Sequence, residues 1–248
     1  MATPNKTGPG FSERSDASAR GQLRFSRLLA EYLALACPSP FPVFDSGTLG
    51  GFARGDGHAV LVLPASLRSD RQTVKLRAFI TGLGYAAYGW SLGVNMGPTA
   101  RVLVGITERL AELSARHGAV SLVGFSMGGL FARLLSARFP ARVRQVITVC
   151  SPIHQPASSV WVPLEPFLGF WPAVDLRALS AEIGAPPPVP STCIYSRDDG
   201  IVRWAHCCDA GSSSGDNIEV SGPHVTMPHN PEVIRILVAR LARRFGPA

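Results

Sequence analysis

The sequence predicts an α/β fold: a mostly parallel central sheet flanked by helices, with a short proline- and aromatic-rich cap insertion. Three observations carry this expectation. Short uninterrupted apolar runs, Ala59 to Leu63 and Ala119 to Val123 among them, have the character of strands buried on both faces. Longer segments with apolar residues three and four apart alternate with these runs, as helical crossovers between parallel strands require. Between Ser151 and Pro190 the alternation breaks, and nine prolines are interleaved with Trp161, Phe167, Phe170 and Trp171. That much proline forbids a regular strand and keeps any helix short, which is the composition of a lid or binding loop.

Taken in order, residues 1–21 are rich in Ser, Pro, Gly and charge and lack the apolar stretch of a signal peptide, so a disordered tail is expected. Residues 22–50 divide into a helix and a Gly-rich connector. The helix, Gln22 to Cys37, carries Leu23, Leu28, Leu29, Tyr32, Leu33 and Leu35, interrupted by Arg24, Arg27 and Glu31. It is too short and too charged to span a bilayer. Its apolar stripe is expected to pack on the domain, with contact to a membrane surface through 22–37 as the second reading.

The remaining residues, 51–248, form the expected main domain, with the cap insertion at about 151–190. The strand Ala59 to Leu63 is closed by Pro64. Ser69 and Asp70 are candidate caps for a helix bearing Val74, Leu76, Phe79 and Ile80, ending near Gly82. Tyr85 to Trp90 is the next strand, followed by a loop with Trp90, Gly93, Asn95 and Gly97 that is expected to support the site's rim. A helix from Thr99 to about His117 presents Val102, Ile106, Leu110 and Leu113 on one face. After the strand Ala119 to Val123 come a helix from Met127 to Phe139 and the strand Val143 to Cys150. Thr192 to Ser196 and Asn217 to Val220 are the last strands. Asn230 caps the closing helix, with Pro231 in its first turn.

The chain of 248 residues, 46% hydrophobic, is long enough for one sizeable core. Its formal charge of +7 comes without a dense basic run interleaved with aromatics, so no nucleic-acid partner is expected. The five cysteines show no paired spacing, and no disulfide framework follows. The run His206-Cys207-Cys208-Asp209 collects metal-ligand types, but adjacent side chains do not converge on one tetrahedral ion, so no metal is expected. A cytoplasmic location is the accompanying expectation.

The chemistry centres on Gly124-Phe125-Ser126-Met127-Gly128-Gly129, a G-x-S-x-G match. Gly211 to Gly215 satisfies the same expression around Ser213, but only Ser126 follows an apolar strand and opens a helix, the setting that turns a serine outward. A serine hydroxyl is a weak nucleophile until a base takes its proton and a third group orients that base. Asp198 and Asp199 both stand just past the strand Thr192 to Ser196, on the sheet edge that Ser126 shares. Asp199 is favoured because Gly200 permits a tight turn after it. His58, His117 and His154 come too early in the chain for the order serine, acid, histidine. His224, nearer the last strand end, is preferred to His229, which abuts the helix cap. Two backbone donors would hold a developing oxyanion: Met127, at a helix N-terminus, and one from Pro64-Ala65-Ser66. Pro64 has no N–H, and Ser66 is favoured over Ala65.

The blocks LVLPASLRSDRQT, GYAAYGWSLGVNMGPT, VSLVGFSMGGLFAR, YSRDDGIVRW and NIEVSGPHVTMPHNPEV resemble a bacterial esterase/lipase group of the α/β-hydrolase superfamily, in order, from Ala59 to the C-terminus. The resemblance implies the α/β-hydrolase fold, with Ser126 as nucleophile, Asp199 as acid and His224 as base. It also implies Met127 and Ser66 as oxyanion donors. Relatives carry glycine where this chain has Ala65 and Thr226. The expected activity is hydrolysis of a carboxylic ester with an apolar group, bound by Trp161, Phe167 and Trp171, without a cofactor. The alternatives are a thioesterase, acyltransferase or perhydrolase with the same triad, or a non-catalytic binding protein on this fold.

Overall fold

The computed structural model describes residues 26–34, 36, 42, 51–154, 176–209 and 215–244. The expected tail, Ser213, and Trp161, Phe167 and Trp171 of the insertion lie outside the described residues. Helix α1 covers 26–34. Then follow β1 (Ala59–Leu63), α2 (Val74–Gly82), β2 (Ala86–Gly89), α3 (Ala100–His117), β3 (Val120–Phe125) and α4 (Met127–Arg138). The second half contains β4 (Val143–Val149), α5 (Leu176–Gly184), β5 (Ser191–Tyr195), β6 (Gly215–Glu219) and α6 (Pro231–Leu241).

The six described strands form one sheet in the order β2-β1-β3-β4-β5-β6, and every pairing is parallel. Each strand of β1 and β3 is wholly buried, because helices cover both faces. Side chains alternate accordingly. Ala59, Leu61 and Leu63 pack with Ile106 and Leu110 of α3 and Leu134 of α4, while Val60 and Val62 pack with Ile80 of α2 and Ile234 and Leu237 of α6. Helix ends follow their caps: Thr99 accepts from the N–H of Val102, and Asn230 from those of Glu232 and Val233. Each such cap stabilises its helix by about 1 kcal/mol.

The topology fixes where a site can form. From β1 the chain moves outward to β2, then returns across β1 to lay down β3 and every later strand on the other side. The crevice past the carboxyl ends of β1 and β3 is therefore the switch point, where open parallel sheets bind ligands.

Two local expectations change. Ser69 caps a short 3-10 turn (Asp70–Gln72) ahead of α2, and the Asp70 carboxylate instead receives the N–H groups of Trp90 and Ser91 after β2. In α1 part of the described apolar stripe turns to solvent, while Leu28 is half-buried. Leu29, Tyr32 and Leu33 are exposed, whereas Glu31 is 2% exposed. A carboxylate tolerates such burial only with hydrogen-bond donors around it, and Glu31 has three. Among the described residues, no helix is long and apolar enough to cross a membrane.

Candidate active site

Ser126 stands between β3 and α4 with φ 50° and ψ −118°, a left-handed conformation unusual for a residue with a Cβ. The strand–helix reversal demands it. The N–H of Ser126 donates to Val149 O of β4, and its carbonyl receives Gly129 N–H as α4 begins. The flanking glycines permit the close approach. A Cβ at Gly124 would run into the Gly128 and Gly129 backbone, and one at Gly128 would strike the carbonyls of Leu63 and Pro64. The Ser126 turn is thus pressed directly against the loop that leaves β1.

That loop is held from outside. Asn95 donates its side-chain N–H to Pro64 O at 2.8 Å, and its backbone exchanges hydrogen bonds with Leu67 and Arg68. Trp90, fully buried, donates its indole N–H to Gly93 O, which shapes the supporting loop. Gln72 Oε1 accepts the Ala65 N–H at 2.9 Å. Ala65 is therefore occupied, and neither Ser66 N–H nor Met127 N–H donates to a described residue. Gln72 lacked any sequence signal, since its partner is a backbone group seven residues earlier.

The candidate acid and base, Asp199 and His224, come from the ends of β5 and β6. Asp199, 3% exposed, accepts the Ile201 and Val202 N–H groups on Oδ1, at 2.8 and 2.7 Å. Its Oδ2 lies 2.6 Å from His224 Nδ1. A carboxylate can only accept, so Nδ1 carries the proton and Nε2 is left bare, the tautomer a general base requires. Asp198 points elsewhere: its Oδ2 receives the Gly222 N–H at 2.9 Å and so ties the Asp199 loop to the loop that carries His224. Burial alone pushes the His224 pKa down, but the charge and hydrogen bond of Asp199, with the charge of Glu31, outweigh it and raise the pKa above the usual histidine value.

Cys150, which follows the Val149 that anchors Ser126, completes the floor. Its Sγ, a carboxylate oxygen of Asp199 and a ring nitrogen of His224 lie within 4.8 Å of one another. These donors are of types that bind transition metals. Burial, then the Asp199 charge, pushes the Cys150 thiol well above its ordinary pKa, so the group is a neutral thiol beside the pair. The Asp199–His224 bond is formed, while the Ser126 hydroxyl has no hydrogen bond to a described residue. Such bonds are commonly long before substrate binds.

A second Ser–His–Asp trio lies at the opposite end of the sheet. His58 Nδ1 bonds Asp56, and its Nε2 lies 2.9 Å from Ser121 Oγ, which also receives Gln145 Nε2–H at 3.2 Å. Ser121 is fully buried within β3, with no turn or helix N-terminus beside it. It offers no access for a substrate and no oxyanion donors, so the trio serves as a polar tie between β1, β3 and β4. Chain order excludes His58 from the nucleophile's site but gives no hint of this network.

A family model described as the alpha/beta hydrolase fold matches residues 101–188. Among solved structures, one of the metagenome-derived lipolytic enzymes LipS and LipT is 16% identical, covering 77% of this chain and 95% of its own, with a TM-score of 0.60. Aspergillus fumigatus lipase B is 18% identical over 83% of this chain and 59% of its own, with a TM-score of 0.57. A thioesterase domain from the curacin biosynthetic pathway is 12% identical over 77% of this chain and 93% of its own, with a TM-score of 0.51. No curated protein matches the chain in sequence.

Proposed function

We propose that this chain, which has the α/β-hydrolase fold, is a serine hydrolase that cleaves carboxylic esters through an acyl-enzyme on Ser126. The observation that carries the reading is the Asp199–His224 pair, 2.6 Å apart, at the same sheet edge as a serine in a strained strand–helix turn. Nε2 of His224 takes the Ser126 proton as the hydroxyl attacks the ester carbonyl. Met127 and Ser66 N–H groups stabilise the oxyanion, at a helix N-terminus whose dipole adds to the effect. The imidazolium, held by Asp199, returns the proton to the leaving alcohol. Water then attacks the acyl-enzyme as His224 takes its proton, the Ser126 Oγ–acyl bond breaks, His224 returns the proton to Oγ, and the carboxylic acid departs. Every step needs only protein side chains, backbone donors and water.

The insertion with Trp161, Phe167 and Trp171 supports a substrate bearing an apolar acyl or alcohol group. The same residues would serve transfer of the acyl group to an alcohol, thiol or peroxide, since water access alone decides the acceptor. The test is labelling with a fluorophosphonate alongside hydrolysis of p-nitrophenyl esters of increasing acyl length. Labelling and turnover should vanish in Ser126→Ala and persist in Ser213→Ala. Labelling unchanged in Ser126→Ala would overturn the assignment. Product ratios with added alcohol, thiol or peroxide separate hydrolysis from transfer.

A further inference from the structure

Glu31 lies in α1, outside the residues matched by the family model and more than ninety positions before the nucleophile. Its Oε1 accepts the His224 N–H at 2.6 Å and the Gly200 N–H at 2.9 Å, and its Oε2 accepts the Val225 N–H at 3.0 Å. One buried carboxylate therefore grips the base, the residue after the base and the residue after the acid. The approach is intimate. A Cβ at Gly200 would lie 2.7 Å from the Arg27 carbonyl carbon and oxygen and 3.0 Å from Glu31 Cγ, so only glycine lets the α1 backbone settle there.

We propose that Glu31 is a positioning residue of the active site: α1 docks on the acid and base loops, and its carboxylate fixes their separation and holds a second negative charge near His224. The proposal rests on the reading of Ser126, His224 and Asp199 as a triad. Described charged or titratable groups facing the imidazole are Asp199 on the β5 loop, Glu31 on α1 and Cys150 after β4. The thiol stays neutral, so the two carboxylates set the field at the ring. Asp199 alone orients Nδ1, while Glu31 orients the backbone from which the ring projects. With both in place, the ring is held against rotation and the loop against translation.

Neither core cluster includes a residue of α1, so undocking the helix leaves the main core intact. Glu31→Gln keeps an oxygen for Gly200 and His224 but turns an NH₂ toward the Val225 N–H and removes the charge. In the full chain, it should slow fluorophosphonate labelling of Ser126 by about 10–100-fold. It should also move the acid limb of the labelling rate about one pH unit lower, because one of the two negative charges that raise the imidazole is gone. Glu31→Asp keeps the charge with a shorter reach and should keep the limb nearer its wild-type position while losing rate.

A thermal melt run in parallel checks folding. If Glu31→Gln fails to fold, Gly200→Ala takes its place, because its methyl group pushes α1 away with Glu31 intact, and a loss of labelling rate is again expected. Wild-type labelling that is fast, with a folded variant equal to it in both rate and acid limb, overturns the role of Glu31 alone. Absence of labelling in the wild type overturns the triad reading, and the role of Glu31 with it.

Discussion

Asp199 divides its two carboxylate oxygens between different tasks: Oδ1 holds its own loop through the Ile201 and Val202 N–H groups, and Oδ2 meets His224 Nδ1 at 2.6 Å. Its neighbour Asp198 bonds Gly222 N–H instead. Asp199→Asn should keep the loop while presenting a donor or a weaker acceptor to the ring, lowering kcat by about 10⁴-fold. Asp198→Ala removes only a loop tie and should cost about tenfold or less, with about 1 kcal/mol of stability. Steady-state kinetics on a p-nitrophenyl ester checks both, and equal losses would count against the assignment of Asp199.

In the proposed mechanism the neutral imidazole is the active form, and His224 is raised, so the acid limb of kcat/KM should have its midpoint above 6.5, the ordinary value for histidine. The linkage to stability runs the other way. A raised folded-state pKa contributes stability that is fully present below the unfolded value and is lost as pH rises through the folded value. Activity should therefore grow over a pH range in which this contribution to stability fades. A pH–rate profile beside melting curves at the same pH values measures both.

Ser66 is proposed to act through its backbone, so the side chain is dispensable. Ser66→Ala should retain kcat within about threefold, whereas Ser66→Pro, which removes the N–H, should lower it by about 10²–10³. Melting temperatures establish that the proline variant is folded. A large loss in Ser66→Ala would show that the hydroxyl, not the N–H, matters.

The Asp56–His58–Ser121 network makes the fold sensitive to acid. Burial works against ionisation of Asp56, but hydrogen bonds from the His58 ring and N–H, with Arg144 nearby, hold its pKa down at about 2. Burial, partly offset by Asp56, holds His58 below its usual value. Both groups are depressed in the folded state, so both contribute stability at neutral pH that is lost on acidification. The His58 contribution fades as pH falls from 6.5, and that of Asp56 as pH falls from 3.8 through about 2. His58→Asn should flatten the decline of Tm just below pH 6.5, and melting curves at closely spaced pH values test it.

Arg133 of α4 is 1% exposed and donates to Asp209, at 2.7 Å, and to the carbonyls of Ile183 and Ala185 at the end of α5. Asp209→Ala leaves a buried guanidinium without its counter-charge and should destabilise the fold by about 3–5 kcal/mol. Replacing the pair together, as Arg133→Met with Asp209→Leu, should cost less than the single change. Denaturant unfolding of the three proteins measures the difference.

Much of this molecule is written in short stretches of chain. The strand–glycine–serine–helix turn, the caps at Thr99 and Asn230, and the two-faced burial of β1 all depend on residues within a dozen positions of each other. Hydrophobic period and turn chemistry are local, so the sequence by itself determined the parallel α/β sheet and singled out Ser126 as the candidate nucleophile, with an aspartate at 198 or 199 and the favoured His224 ordered behind it. The folded topology decided the rest. Glu31 meets Gly200 and His224 across 169 and 193 positions, and a single carboxylate on a helix that exposes Leu29, Tyr32 and Leu33 leaves no periodic trace of that contact. Gly200, expected to serve a turn, proved to be the space into which α1 fits. The choice between Asp198 and Asp199 likewise depends on which oxygen the imidazole meets. Polar pairs of this kind are specified by where strand ends converge, and only packing of the whole sheet brings those ends together.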